Sequence, residues 1–180
     1  ATRVSRAFRP QAFNQPRGML ALGACNNPRR PRKWSGGRSD AVLSDAHARA
    51  HLTKAELALD TNNIITGLRV KTHANLGAYM SLFSSSVPTY LYATLLSGQY
   101  NIPAIYAEVM TVYTNTTPVD AYRGAGRPEA SFLVERMMET AARQLKFDPT
   151  ELRRKNFIPQ FPHQTPVYLA HATAHSGPPL

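Results

Sequence analysis

Cysteine is nearly absent: Cys25 is the only one in 180 residues. A single thiol excludes an internal disulfide framework and any cysteine-built zinc or iron–sulfur site within this chain. It fits a reducing compartment, and the expected location is the cytoplasm. Long apolar runs are missing as well; none approaches the ~20 residues that a membrane helix requires. The start has no apolar core of a secretory signal, although an Arg-rich, acid-free beginning is also how an organelle transit peptide reads. Acids are scarce, 11 against 21 Lys and Arg, for a formal charge of +10. Residues 1–39 hold nine bases, from Arg3 to Arg38, and no acid; the other 141 residues hold 12 bases and 11 acids. The excess therefore sits in the first fifth of the chain, and the body lacks the broad positive field that a polyanion partner needs. A basic nucleic-acid-binding protein acting through residues 1–39 is the rival reading on composition alone.

A hydrophobic fraction of 43% is enough for a packed core. Residues 1–39 show no period, with Pro10, Pro16, Pro28 and Pro31 scattered among arginines, and read as an irregular basic lead-in. From Asp40 the pattern changes. Ala55, Leu57 and Leu59 alternate with Lys54 and Glu56, then Leu68, Val70, Thr72, Ala74 and Leu76 alternate with Arg69, Lys71, His73 and Asn75. The turn residues Asp60 to Asn63 between them make this an antiparallel hairpin. Ser81 to Ser97 reads as loop with a short buried helix over Tyr90 to Leu96. A third strand carries Ile105, Ala107, Val109, Thr111 and Tyr113 on one face.

Pro128 and Glu129 open a helix, since proline at the first position loses no hydrogen bond and an acid there suits the dipole. Ala130, Leu133, Val134, Met137, Met138, Ala141 and Leu145 form its buried stripe. Asp148 caps a second helix by accepting from the amide of Glu151. Residues 159–180 show no period and read as an irregular tail. The fold class is α+β, hairpin strands followed by two helices, with residues 40–158 as the structured part and no internal repeat.

Between the third strand and the helix stands D-A-Y-R-G-A-G-R-P-E-A, residues 120–130. Glycines let a backbone approach a ligand, a helix start attracts anions, and Arg123 and Arg127 add two fork-shaped cations. The competing reading is a glycine turn whose arginines pair with Asp120, Glu129 or Glu135, and spacing alone favours it. The spacing matches neither a Walker loop nor a dinucleotide fingerprint. His47 with His51 and His171 with His175 are spaced four apart, but neither pair lies in a helical pattern and no cluster completes a metal site. No protein metal ligands are expected, and Cys25, in the lead-in, is not expected to be catalytic.

Residues 112–130, V-Y-T-N-T-T-P-V-D-A-Y-R-G-A-G-R-P-E-A, resemble the molybdopterin-binding large subunit of the xanthine dehydrogenase, aldehyde oxidase and aerobic carbon monoxide dehydrogenase superfamily. The likeness continues through V-E-R-M-M-E-T-A-A-R-Q-L and D-P-T-E-L-R-R-K-N-F-I, and upstream through N-L-G-A-Y at 75–79 and L-L-S-G-Q-Y-N-I-P at 95–103. It spans roughly Lys33 to Val167. The resemblance implies that Ala121, Tyr122, Arg123, Gly124, Ala125, Gly126 and Arg127 face a molybdenum–molybdopterin cofactor, in its cytosine dinucleotide form, with Arg123 beside the metal in a catalytic role. It implies oxidation of a small aldehyde, N-heterocycle or related substrate with water-derived oxygen. It implies that electrons leave through an iron–sulfur small subunit and an FAD-binding medium subunit.

Carbon monoxide dehydrogenases of this superfamily read A-Y-R-C-S-F-R here, with a copper-binding cysteine. Gly124 stands in that place and offers no thiolate, so the loop resembles the second, carbon-monoxide-dehydrogenase-like group and no copper is expected. The family's general-base glutamate lies near the C-terminus of its members, so none of Glu108, Glu129 and Glu135 inherits that role. Family subunits are several times longer, and the likeness fades at both ends; the chain is expected to be a partial gene product, inactive in isolation.

Overall fold

The computed structural model describes residues 23, 35 and 37–173. Cys25, most of the basic lead-in and His175 lie outside the described residues. A short helix α1 (Arg38–Ser44) precedes strand β1 (His51–Leu59), which pairs antiparallel with β2 (Ile65–Gly77). The hairpin turn is built by Asp60, whose Oδ1 accepts from the amides of Asn62 and Ile64, both at 2.8 Å. Asn63 closes it at φ 63°, a left-handed conformation that asparagine tolerates better than most residues.

β2 alternates between buried and exposed positions from Leu68 to Ala74 because helices cover one of its faces. Leu68, Val70, Thr72 and Ala74 point into the core, while Arg69 and Lys71 pair on the far face with Glu56 at 3.0 Å and Glu108 at 2.8 Å. β3 (Ile105–Tyr113) lies parallel to β2, with Ile105, Ala107, Val109 and Thr111 buried and Tyr113 exposed at its end. The short helix expected over Tyr90 to Leu96 is α2 (Tyr90–Ala93), in the β2–β3 connection, with Tyr92 and Ala93 buried and Tyr90 exposed. Two helices follow β3, α3 (Arg127–Leu145) and α4 (Pro149–Asn156). The chain then returns to the sheet as β4 (Val167–Thr173), parallel to β3, giving the order β1-β2-β3-β4.

The class is α+β, as the patterning indicates, with two differences in detail. The third strand joins the hairpin in parallel. The stretch from 159, expected to be irregular, contains β4: seven residues whose pairing comes from a distant strand rather than from a nearby turn. On α3 the buried positions are Ala130, Val134, Met138 and Ala142, each four residues from the next. Leu145, assigned to the same stripe, is half exposed in the last turn. Apolar side chains from both layers form one core, where each fully buried Leu, Ile or Val contributes about 1.5–3 kcal/mol.

Two polar devices lock the layers together. Asn156 is buried, and its Oδ1 accepts from the Ile65 amide at 2.7 Å. Its Nδ2 donates to the carbonyls of Asn63 at 2.9 Å and Leu152 at 2.8 Å, so the end of α4 is sewn to the β1–β2 turn. Tyr100 donates to Glu135 at 2.6 Å, and Arg153 holds the other oxygen of that carboxylate at 3.0 Å. Burial first, and the Glu135 carboxylate second, push the Tyr100 hydroxyl up to about 12.

Replacing Asn156 with alanine strands a buried amide and two carbonyls and should cost about 2–4 kcal/mol in urea unfolding. Asp148→Ala, which removes the cap bonds to Thr150 and Glu151 at 2.8 Å, should cost about 1 kcal/mol. Because the folded state holds the Tyr100 proton more tightly, its contribution is intact below pH ~10 and is lost as pH rises toward 12. Tyr100→Phe should flatten that alkaline loss in a pH series of melts.

Candidate functional site

The stretch after β3 is threaded by residues of the N-L-G-A-Y motif. Asn75 Oδ1 accepts from the Gly77 amide at 2.7 Å and the Thr114 hydroxyl at 2.8 Å, and its Nδ2 donates to Thr116 at 3.0 Å. Gly77, at φ 78°, leaves room for the Thr117–Pro118 backbone, where any Cβ would collide. Asp120 then turns inward, and one oxygen accepts from the amides of Phe83 at 3.1 Å and Ala121 at 2.6 Å.

The turn itself holds three consecutive left-handed residues, Gly124 at 97°, Ala125 at 43° and Gly126 at 89°. A Cβ on Gly126 would lie 2.7 Å from the Leu91 carbonyl carbon and 2.8 Å from the Tyr92 nitrogen. A Cβ on Gly124 would lie 2.7 Å from the Pro128 ring. Ala121 and Ala125 are buried against Val87, so their methyl groups anchor the loop. Tyr122, Arg123 and Arg127 are exposed.

The three acids that spacing offered to the arginines are all engaged elsewhere: Asp120 by backbone amides, Glu129 by Arg49 at 3.6 Å, and Glu135 by Tyr100 and Arg153. Among the described residues neither Arg123 nor Arg127 forms an ion pair; Arg127 only approaches the Gly124 carbonyl at 3.5 Å. The helix start offers fewer free amides than its sequence suggests, since the Arg127 amide donates to the Gly124 carbonyl at 3.1 Å and Pro128 has none. The guanidinium groups, rather than the helix start, therefore carry most of the loop's uncommitted N–H donors among the described residues.

Arg49 has no sequence signal, because it precedes β1 in an unpatterned stretch. Its guanidinium donates to the Arg123 carbonyl, lies 5.0 Å from the Tyr122 ring centre and pairs with Glu129. Beside it opens a cavity of about 750 Å³, lined among others by Arg49, His51, Tyr92, Glu129, Phe132 and Arg136. Glu129 Oε2 is buried without a hydrogen-bond partner among the described residues. Burial holds the His51 ring below the ordinary histidine range against the opposing pull of Glu129, which favours the neutral imidazole. His47 and His51 do not share a helix: His47 bridges to Val119 and His51 begins β1. Among the described residues no three His, Cys, Asp or Glu side chains gather.

A family model of the molybdopterin cofactor-binding domain matches residues 12–157. The chain belongs to that family. The match takes in much of the stretch that reads as a basic lead-in, so the rival assignment of residues 1–39 to nucleic-acid binding gains no support. Over 143 residues the chain is 36% identical to the 6-hydroxypseudooxynicotine dehydrogenase complex subunit gamma of Paenarthrobacter nicotinovorans, covering 79% of this chain and 18% of that protein. It is 39% identical over 141 residues to the carbon monoxide dehydrogenase large chain of Hydrogenophaga pseudoflava, covering 76% of this chain and 17% of the relative. The quinoline 2-oxidoreductase of Pseudomonas putida 86 superposes with a TM-score of 0.79 at 30% identity, over 90% of this chain and 21% of that one. The chain thus spans less than a fifth of the length of these curated relatives.

Gly126→Ala combines a left-handed backbone with a backbone collision and should cost about 2–4 kcal/mol. Gly98→Ala is its control: φ is 52°, but the nearest heavy atom lies 3.9 Å from the added carbon, and about 1 kcal/mol is expected. Chemical denaturation of both variants checks the difference.

Proposed function

We propose that this chain supplies one wall of the molybdenum site in a molybdenum hydroxylase large subunit, with Ala121 to Arg127 facing the cofactor. The observation that carries the reading is the pair of exposed arginines on a glycine turn, left without a partner acid among the described residues. The fit to an anionic pterin phosphate is chemical: two permanent, fork-shaped cations exposed on a turn whose glycines make room for the Pro128 ring and the Leu91–Tyr92 backbone. The cofactor, when bound, supplies the redox chemistry. This chain's part is to bind and orient. Arg123 holds negative charge at the rim of the site, Arg127 reinforces it, and the buried Ala121 and Ala125 keep the turn from shifting under that load.

Finer features rest on the family likeness. They are the cytosine dinucleotide form of the cofactor, oxidation of a small aldehyde or N-heterocycle with oxygen from water, iron–sulfur and FAD-binding partner subunits, and a cytoplasmic location. Gly124 supports a site without copper, since it carries no thiolate, and a side chain there would meet the Pro128 ring. Carbon monoxide turnover with stoichiometric copper in the complete enzyme would overturn that part.

In the complete subunit, Arg123→Ala should lower molybdenum and pterin content or turnover at least tenfold, the loss of one charge-assisted hydrogen bond or more. Arg123→Lys should recover part of it. Unchanged metal content together with unchanged turnover in Arg123→Ala would sink the reading.

A further inference from the structure

We propose that Arg49 is a positioning residue for the 121–127 loop, setting the direction in which Arg123 projects. The inference rests on the reading of Arg123 as the anion donor. One planar guanidinium makes all three contacts: it donates to the Arg123 carbonyl, covers the Tyr122 ring at 5.0 Å and reaches Glu129 Oε1 at 3.6 Å. Those residues stand on both sides of the left-handed run that starts at Gly124. The peptide plane between Arg123 and Gly124 is the point where that run begins. A fixed donor on its carbonyl settles the orientation of the plane, and with it the aim of the Arg123 side chain.

Arg49 is itself firmly held. Its backbone lies at φ 63°, a conformation that a non-glycine residue keeps only when its surroundings impose it. The His47 amide donates to the Pro118 carbonyl at 2.9 Å, and the Asp120 amide donates to the His47 carbonyl at 2.8 Å. On the other side the Asn75 amide donates to the Ala50 carbonyl at 2.9 Å. The segment around Arg49 is thus clamped to the approach of the loop and to β2 before the side chain reaches across. Glu129, with its side chain 9% exposed, gives the guanidinium a rigid counter-charge. Lysine in this place keeps the charge but not the fork, so it cannot hold carbonyl, ring and carboxylate at once.

The test uses the full 180-residue chain as wild type, Arg49→Ala, Arg49→Lys and Glu129→Gln. Hydrogen exchange is read at the amides of residues 122–127 and of β2 and β3, and inorganic pyrophosphate is titrated against the loop amide shifts. Loop exchange should rise about tenfold in both Arg49 variants while the sheet amides hold, and pyrophosphate affinity should fall by about the same factor. The loss in Arg49→Lys separates positioning from simple loss of charge. Ethylguanidinium should restore affinity to Arg49→Ala, and Glu129→Gln should shift both readings in the same direction by less. Loop exchange and affinity that match wild type in Arg49→Lys would overturn the inference. If Arg49→Ala fails to fold, the lysine variant decides. If wild type binds no pyrophosphate, the anion-donor reading of Arg123 fails and loop exchange alone judges Arg49.

Discussion

The site depends on one close approach. The backbone at Gly126 passes so near the Leu91–Tyr92 backbone that no side chain fits between them. That contact places the first turn of α3 directly on α2, and the buried stripe of α3 follows from there across the sheet. It also forces the left-handed run before the helix, because the chain must reverse at once after leaving Ala121. Small residues are needed at each point of contact, and the loop supplies alanine or glycine at 121, 124, 125 and 126. The bulk that remains, Tyr122 and the two arginines, has no direction left but outward.

Charge is distributed with similar economy. With 11 acids in the chain, those near the loop are committed to amides, to Arg49 or to the Tyr100–Arg153 cluster. A cation stays available for a ligand only if local carboxylates prefer other partners. Each preference here has a structural reason. Asp120 serves two backbone donors, the amides of Phe83 and Ala121. Glu135 is fixed between a buried phenol and a guanidinium. Glu129 lines the cavity and pairs with Arg49.

How much of this was legible in the sequence depended on the range of the interaction. The hairpin was readable because its alternation and its Asp60–Asn63 turn are local. The Asp148 cap was readable to the atom for the same reason. β4 was not, since its parallel partner lies some sixty residues earlier and its own composition carries no alternation strong enough to stand alone. The loop residues were picked out by their type, but which cations were free could not be read from spacing, which allowed three acids that the fold sends elsewhere. Arg49 left no trace at all: 74 positions separate it from the carbonyl it grips. The role of Asn75 and Gly77 was visible only as a family likeness until the thread they guide came into view.

The parallel arrangement of β2, β3 and β4 has a kinetic consequence. Every parallel neighbour must wait for a crossover to close, so the sheet is dominated by contacts between distant parts of the chain, a topology that folds slowly. The arginine loop lies inside the second crossover and is steadied by Asn75 and His47, which belong to earlier segments. It therefore takes its shape only after β2 and β3 have met. During folding, the two arginines gain a fixed direction only once the scaffold behind them is complete.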